Sequence, residues 1–517
     1  MTSAVEQGER TKITWRTLVV PSVVLLALSL LLYGWPVPRL SEELYLPLVK
    51  HVGDASYLRG DWTFSGTFPE HWVFDHLFAP LTHVLSLSAF GWLGRLVSWT
   101  LLAGLLVAIG ARLRLTVWTA TAAIALWLVA NQSFIGTEWI IGTFESKTVA
   151  YVFLLGALLA IASSRIPIAL ALLGIVFSLH PAVGLWNALA VGVALLVIPA
   201  TRATTLRWCW LGILLAIPGI IGGFAASGAM STALRRFVVL QAIPYHTDPF
   251  FGAVRLPWLQ NLVHLALLLA MFAANLWWWR RHQGDAFETF VAVFQIVAAV
   301  PFALAYVARL AHIWSYLQLM PLRSFPLFVP LFFAMHAMRW IVERWDTDRA
   351  RALLAVGVVC SVALVLSAPL LAAPRMVLAN VKAWTGTDHF ASAFDWLHNN
   401  TPSTTTCIVP PDRQDYFERA ARPTVANWQA IRYDAVAEWR SRIDALLGTD
   451  THFDGPGWHG ELTGLRASYD RLTAAQVTKL ASKYGASCIV TSTAYPFPVI
   501  HRTGDVTIYG LTPQTSP

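Results

Sequence analysis

Long apolar segments separated by short polar ones dominate the first three quarters of the chain. Windows of about 17 to 22 apolar residues, the length that crosses a bilayer as a helix, are centred near residues 26, 102, 125, 155, 173, 192, 217, 268, 298, 329 and 362. The pattern predicts about eleven spans. The two windows that flank His180-Pro181 are short, about 15 residues each, so they tilt, thin the bilayer or stop short of crossing. Leu77–Ala89 is apolar too, but it is bounded by Asp75-His76 and Gly91, which suits an interfacial or re-entrant helix better than a span.

Beyond about Arg375 the period changes. Helical patterns at Phe390–Asn399, Gln414–Ala421, Tyr433–Leu447 and Thr473–Tyr484 alternate with short apolar runs at Thr405–Val409, Pro423–Ala426, Ala486–Thr491 and Val506–Leu511, which read as strands. Such alternation predicts a small, mainly parallel sheet with helices packed on it. The expected fold class is a polytopic α-helical membrane protein: a transmembrane domain over residues 1–374, with a long first outer loop at 35–92, and a C-terminal extracytoplasmic α/β domain over 375–517 that can bury a core of its own.

Composition agrees with the membrane reading: 56% of the 517 residues are hydrophobic and 13% charged, against roughly 25% charged in soluble domains, and the mean hydropathy is +0.56. The 24 tryptophans fit rings anchored at the lipid–water boundary. The net charge of +8 resolves into topology rather than nucleic-acid binding. Arg10, Lys12 and Arg16 precede the first span, and Arg112 with Arg114, Arg165, Arg202 with Arg207, Arg280 with Arg281, and Arg339 to Arg351 fall in alternate connections. With the N-terminus cytoplasmic, this satisfies the positive-inside rule and puts the first loop, the loops Gly136–Ser146 and Ser227–Pro257, and the whole C-terminal part outside. Arg235-Arg236 break the rule and ask for an anionic partner. The first apolar segment exits through Tyr33-Gly34-Trp35-Pro36 without a small-x-small cleavage pattern, so it reads as a retained anchor.

Candidate chemistry lies in the outer loops. Transfer of a group from a phosphate-linked donor needs a base for the acceptor's proton and donors for the leaving phosphate. Glu42 and Glu43 follow the first span, and mutual repulsion raises one pKa of such a pair. Asp61 follows Gly60, which permits a sharp turn. Glu42, Glu43 and Asp61 are therefore the candidate bases; the alternative is ordinary interfacial and loop carboxylates. Glu145 and Lys147, in Thr143-Phe144-Glu145-Ser146-Lys147-Thr148, stand near hydrocarbon, where charges face a wet cavity or one another. Arg323 and Arg309, at span ends, offer the planar fork that binds phosphate, or else snorkel to headgroups. Tyr45, His71 and His180 complete the substrate-binding candidates. Cys407 and Cys488 each fall in a predicted strand, as a disulfide or as two buried thiols. No nucleotide-binding, zinc-protease or hydrolase motif occurs in its proper context. No cofactor is called for, and a divalent metal has acidic loops but no ligand spacing to support it.

Glu42-Glu43-Leu44-Tyr45 at the first-span exit, the long outer loop, the many spans and the outer α/β domain together resemble the GT-C superfamily of membrane glycosyltransferases, which use polyprenyl-phosphate or polyprenyl-diphosphate sugars. Tyr45-Leu46-Pro47, Phe144-Glu145-Ser146-Lys147 and His180-Pro181 look most like an uncharacterised bacterial branch of it. In many branches an Asp-Glu or a lone Asp at the first-loop position binds or deprotonates the acceptor; here the pair is Glu-Glu, which keeps Asp61 in play. The resemblance implies an enzyme of the bacterial plasma membrane. It would transfer a sugar, with inversion, from a polyprenyl-phosphate donor to a glycan, lipid or protein acceptor during cell-envelope assembly. Arg323, Arg309 and Lys147 would hold the phosphate. A transporter of a lipid or anionic solute would instead show mid-membrane charges in broken helices and an inverted repeat, and a non-catalytic scaffold would tolerate loss of Glu43, Asp61 and Arg323.

Overall fold

Apolar windows become helices because in hydrocarbon a helix satisfies every backbone donor and acceptor within one segment. The computed structural model describes residues 15–511 except 67–68, 134, 227–229, 252–256, 283, 346–348, 350, 352–371 and 449–463. Six helices among the described residues are long and apolar enough to cross a membrane: Arg16–Tyr33, Leu87–Arg112, Pro199–Ala225, Gln260–Arg281, Ala286–Leu310 and Phe325–Trp345. The protein is thus a mostly helical membrane protein. Four shorter apolar helices, Val117–Val129, Ser146–Ala162, Ile166–Leu179 and Pro181–Val197, coincide with the windows near 125, 155, 173 and 192. The window near 362 lies outside the described residues.

Close packing holds the short helices in place. Ile166–Leu179 lies against Pro199–Ala226, and a Cβ on Gly174 would stand 2.3 Å from the Gly212 carbonyl oxygen. Only small residues allow backbones this near. The Ser178 hydroxyl donates to the Leu215 carbonyl across the same contact at 2.5 Å.

A buried polar network lies where the helices Gln260–Arg281, Ala286–Leu310 and Phe325–Trp345 meet. Glu288 accepts from Arg339 at 3.1 Å and pairs with His336 at 3.1 Å, while His336 also meets Asn275 at 3.0 Å. Asn275 donates to Gln295 and to the Val329 carbonyl. The network joins three helices through groups that satisfy one another, as polar side chains in hydrocarbon require. Apolar windows hid it because each helix contributes only one or two of its members.

The stretch after the first span is more helical than a loop. Glu42-Glu43 do not open a loop but begin the helix Glu42–Gly53, which is followed by Trp72–Phe78 and short 3-10 turns at Pro69–His71 and Ala79–His83. Leu77–Ala89 is not a single interfacial helix. Pro80 sits at the start of the second turn, and Ser86 caps the next helix by accepting from the Ala89 amide at 3.2 Å, so Leu87 already belongs to a span.

The C-terminal part carries a four-stranded sheet, with β1 at Cys407–Ile408, β2 at Cys488–Thr491, β3 at Val499–Thr503 and β4 at Val506–Gly510, in the order β1-β2-β4-β3. The expected mainly parallel sheet is corrected: among the four strands β1 and β2 alone run parallel, β2–β4 and β3–β4 are antiparallel, and the expected strand Pro423–Ala426 contributes one parallel bridge, Thr424 to Cys407. The reason is a hairpin at Gly504-Asp505. Gly504 has φ +57°, a left-handed conformation that favours glycine in a tight hairpin, and the His389 ring packs where a Cβ would stand. Cys407 and Cys488 stand opposite in register and form a disulfide, rather than remaining as two thiols.

Period-two alternation gives both sheet faces a core. Ile408, Ile489 and Tyr509 face one side, with Phe237, Val238 and Ile243 from the 230–247 segment; Cys407, Val490 and Ile508 face the other, with Leu44, Leu48, Leu58 and Phe64 from the first outer loop. The C-terminal part therefore does not close its core alone. Asp61 is a clasp in this joint: its carboxylate accepts from the amides of Thr63 at 2.7 Å, Phe64 at 3.3 Å and Thr424 at 2.8 Å.

Glu42 is committed in the same way. Arg95 donates to both its oxygens, at 2.7 and 2.5 Å, and the Phe144 amide adds a bond at 2.6 Å, with both side chains fully buried. Breaking a buried pair by removing one partner costs about 3–5 kcal/mol. Glu42→Ala is expected to lower stability by about that much in denaturation of the detergent-solubilised protein, and Glu43→Ala by less than about 1 kcal/mol. Equal losses would contradict this assignment.

Candidate active site

Three helices begin at one place. The helices Ser146–Ala162, Pro181–Val197 and Phe325–Trp345 begin after Glu145, His180 and Ser324, and contacts through His71 and Tyr151 link their starting regions. Ser146 Oγ lies 2.8 Å from His71 Nδ1, and the His71 and His180 rings are 5.6 Å apart. Tyr151 donates to Glu138 at 2.9 Å and stands 3.3 Å from the Arg323 carbonyl oxygen. Helix starts expose amides and the positive end of the peptide dipoles, so the junction favours an anion. His180 itself ends one helix in an extended conformation (φ −150°) and caps the next, accepting from the Val183 amide, because Pro181 cannot continue the first.

Cations reinforce the field. Lys147 is buried, 3.4 Å from Glu145 and 5.0 Å from the centre of the Trp139 ring. Arg323 is buried and ion-paired with Glu138, with its Nε and the neighbouring Ser324 hydroxyl left without protein partners. Each cation is thus aimed by a carboxylate, while donors remain for a ligand. His246 belongs here too: burial and the charges of Arg323 and Lys147 hold its imidazole well below its ordinary pKa. Tyr45 packs on His71 with centroids 4.6 Å apart and feels Glu145, Glu70, Tyr433 and Tyr245. Tyr45, His180, Tyr245, His246 and Tyr433 are half-buried, as walls of a recess are.

Of the expected substrate-binding residues, the structure brings together Tyr45, His71, Glu145, Lys147, His180 and Arg323. Arg309 stands apart, donating to Asp248 at 3.1 Å with its guanidinium over Trp314. Arg235, which asked for an anionic partner, donates to the Gln318 side chain at 2.7 Å. The three expected bases do not share the recess. Glu42 is held by Arg95 and Asp61 by backbone amides. Glu43 lies where the first outer loop meets the C-terminal part, and burial with the adjacent Asp415 pushes its carboxyl up to about 8. At about 100° per residue along the helix Glu42–Gly53, the adjacent Glu42 and Glu43 point to different partners.

Two carboxylates were passed over. Glu70, beside His71, has a buried oxygen without a partner, and burial, with Asp434 adding to it, pushes the carboxyl up to about 7. Asp75 also has a buried unpartnered oxygen, and burial with the charge of Glu70 raises it well above the usual range. Sequence gave one signal, an acidic pair flanking His71 in an aromatic stretch. Glu70, with its carboxyl near neutrality, is placed to exchange a proton, the condition of an effective base. Among the described residues no group of three His, Cys, Asp or Glu is arranged to hold a metal ion.

Residues 388–446 match a domain of unknown function (DUF6798). No curated protein matches the chain at a significant level. Among solved structures, the oligosaccharyltransferase of Archaeoglobus fulgidus tethered to an acceptor peptide with the NVT sequon is similar at 12% identity and a TM-score of 0.47, over 92% of this chain and 69% of that one. Archaeal oligosaccharyltransferase AglB from Archaeoglobus fulgidus, in complex with an inhibitory peptide and a dolichol-phosphate, gives 12% identity and a TM-score of 0.48 over the same shares. At that level the likeness assigns no activity to this chain.

The raised Glu70 pKa has a thermodynamic consequence. Between the unfolded value near 4.3 and the folded value of about 7 the native state holds more protons than the unfolded chain, so this residue's contribution to stability is present below about pH 4 and is lost as pH rises through 7. Melting temperatures of Glu70→Gln, followed from pH 5 to 8, are expected to fall less steeply than those of the wild type. An unchanged slope would place Glu70 in water.

Proposed function

We propose that this protein is a membrane glycosyltransferase of GT-C type that moves a sugar from a polyprenyl-phosphate-linked donor to an acceptor on the extracytoplasmic side. The observation that carries this reading is the meeting of three helix N-termini with Lys147, Arg323 and two unpartnered donors, Arg323 Nε and the Ser324 hydroxyl, at the outer ends of apolar helices. A phosphate there has its charge met by amides and cations, and a lipid tail leaves between apolar helices into the bilayer. The positive-inside pattern supports a recess on the extracytoplasmic face of a bacterial plasma membrane, and the Glu42-Glu43-Leu44-Tyr45 and Phe144-Glu145-Ser146-Lys147 motifs support the same reading.

In the reaction, an acceptor hydroxyl oxygen attacks the anomeric carbon and its proton passes to Glu70. The anomeric carbon–oxygen bond breaks with its electron pair leaving on the phosphate, which Lys147, Arg323 and the helix starts stabilise. A single displacement inverts the anomeric configuration. Glu70 takes the role that adjacency in sequence offered to Glu42, Glu43 or Asp61. His71, neutral because burial and the charge of Arg323 push it down to about 3, positions Ser146 and packs Tyr45 without adding charge. The C-terminal domain, which contributes Tyr433 to the wall, selects the acceptor in cell-envelope glycan assembly.

Native mass spectrometry of the protein released gently from its own membrane tests the donor site. A polyprenyl phosphate, with or without sugar, is expected on the wild type and lost from the Glu138→Ala/Arg323→Ala double variant, which removes the buried pair together. Bulk phospholipid alone on the wild type would overturn the reading. In a transfer assay with the retained lipid-linked sugar, Glu70→Gln is expected to lower kcat by about 10²–10⁴-fold and Glu43→Gln by less than about tenfold. The reverse order would return the base to Glu43.

A further inference from the structure

A second recess, about 320 Å³ in volume, opens between the first outer loop and the C-terminal domain. Its chemistry differs from that of the central junction. Trp62 and Ser65 line it from the outer loop, and Thr406, Arg442, Lys483 and Tyr484 from the domain; no carboxylate lines it among the described residues. Arg442 lies over both aromatic rings, 4.5 Å from the centre of Trp62 and 4.7 Å from that of Tyr484. Two of its nitrogens are held by the protein: Nε donates to Glu438 at 2.8 Å and Nη1 to the Val425 carbonyl at 3.1 Å. Glu438 is the one carboxylate paired with these cations, and it is half exposed outside the lining. Lys483 is exposed, 4.8 Å from the centre of the Tyr484 ring.

Neighbouring contacts hold the outer-loop wall in place before any ligand arrives. Arg432 also lies over Trp62, at 4.6 Å, and donates to the Trp62 carbonyl at 2.9 Å and to Ser65 Oγ at 3.3 Å. A held guanidinium, a mobile ammonium and hydroxyl groups in a polar recess of this size, at the lower end of small-ligand pockets, fit one anionic, hydroxylated unit rather than an acyl chain.

We propose that this recess binds a carboxylate-bearing sugar residue of the hexuronate type, its carboxylate between Arg442 and Lys483 and its hydroxyls on Ser65 and Thr406. That the ligand is a sugar rests on the glycosyl-transfer reading; that it is anionic rests on the recess alone. Because the outer loop supplies one wall and also carries Glu70 and His71, an occupied recess presents an acidic glycan to the transfer site from the domain side.

Calorimetric titration of the full-length protein in detergent tests this with a glucuronate-containing trisaccharide, the matching glucose trisaccharide and a hexaglutamate peptide. The uronate is expected to bind at least about tenfold more tightly than the other two, with affinity falling as salt rises. Lys483→Met, at an exposed position, is expected to weaken uronate binding about tenfold with an unchanged melting temperature, and Arg442→Met to weaken it further. Equal binding of the glucose trisaccharide, tighter binding of the peptide, or full affinity in Lys483→Met would overturn the proposal. Lipid retention reports the other reading separately: uronate binding without a bound polyprenyl phosphate would leave this site standing and remove the donor site, and the opposite result would do the reverse.

Discussion

The buried pair between Glu42 and Arg95 orders much of what surrounds it. Two charges with no exposed surface are tolerable only when fully matched, and here a bidentate guanidinium and the Phe144 amide meet one carboxylate. The pair fixes the start of the helix Glu42–Gly53 against a spanning helix and against the segment leading into Glu145 and Lys147. Once that start is fixed, the helical turn directs Tyr45 to His71, and Leu44 and Leu48 under the sheet. A carboxylate that reads as chemistry along the chain is therefore a structural anchor.

The central junction combines strong charges with near neutrality. Lys147 and Arg323 each hold a carboxylate, Glu70 and Asp75 are pushed towards their protonated forms, and His71 and His246 are pushed towards neutrality. Such a site does not trap stray anions by bulk charge. It offers oriented amides and donors, which favour an anion of particular shape. The second recess is more openly cationic, with Arg442 and Lys483 in its lining and no carboxylate there among the described residues.

The outer layer is a shared construction. One face of the sheet is completed by the first outer loop and the other by the segment 230–247, so the C-terminal part and the loops hold one another in place. Asp61 joins them through backbone amides, and the Cys407–Cys488 disulfide ties the two parallel strands beneath. Helix and strand positions there were readable because Phe390–Asn399, Tyr433–Leu447 and Val506–Leu511 carry clean periodicity. Strand β3 was not, since Val499 and Ile500 lie at an exposed edge, behind Pro496 and Pro498 and before His501-Arg502, without an alternating pattern. Without β3 there was no hairpin, and the sheet read as mainly parallel.

Sequence by itself determined the membrane-embedded class, the apolar windows, the two strand cysteines, and six of the residues that meet in the recess. These follow from hydropathy, charge placement and local geometry, which act over a few neighbouring positions. Tertiary structure alone decided which carboxylate is available. Glu42, Glu43, Asp61 and Glu70 are all acidic residues of one outer stretch, and they differ only in what folds against them: a guanidinium, another carboxylate, three backbone amides, or an unpartnered recess. Desolvation and hydrogen bonding set a carboxylate's reactivity, and both are supplied by segments as far away as Thr424, beyond the reach of any local pattern.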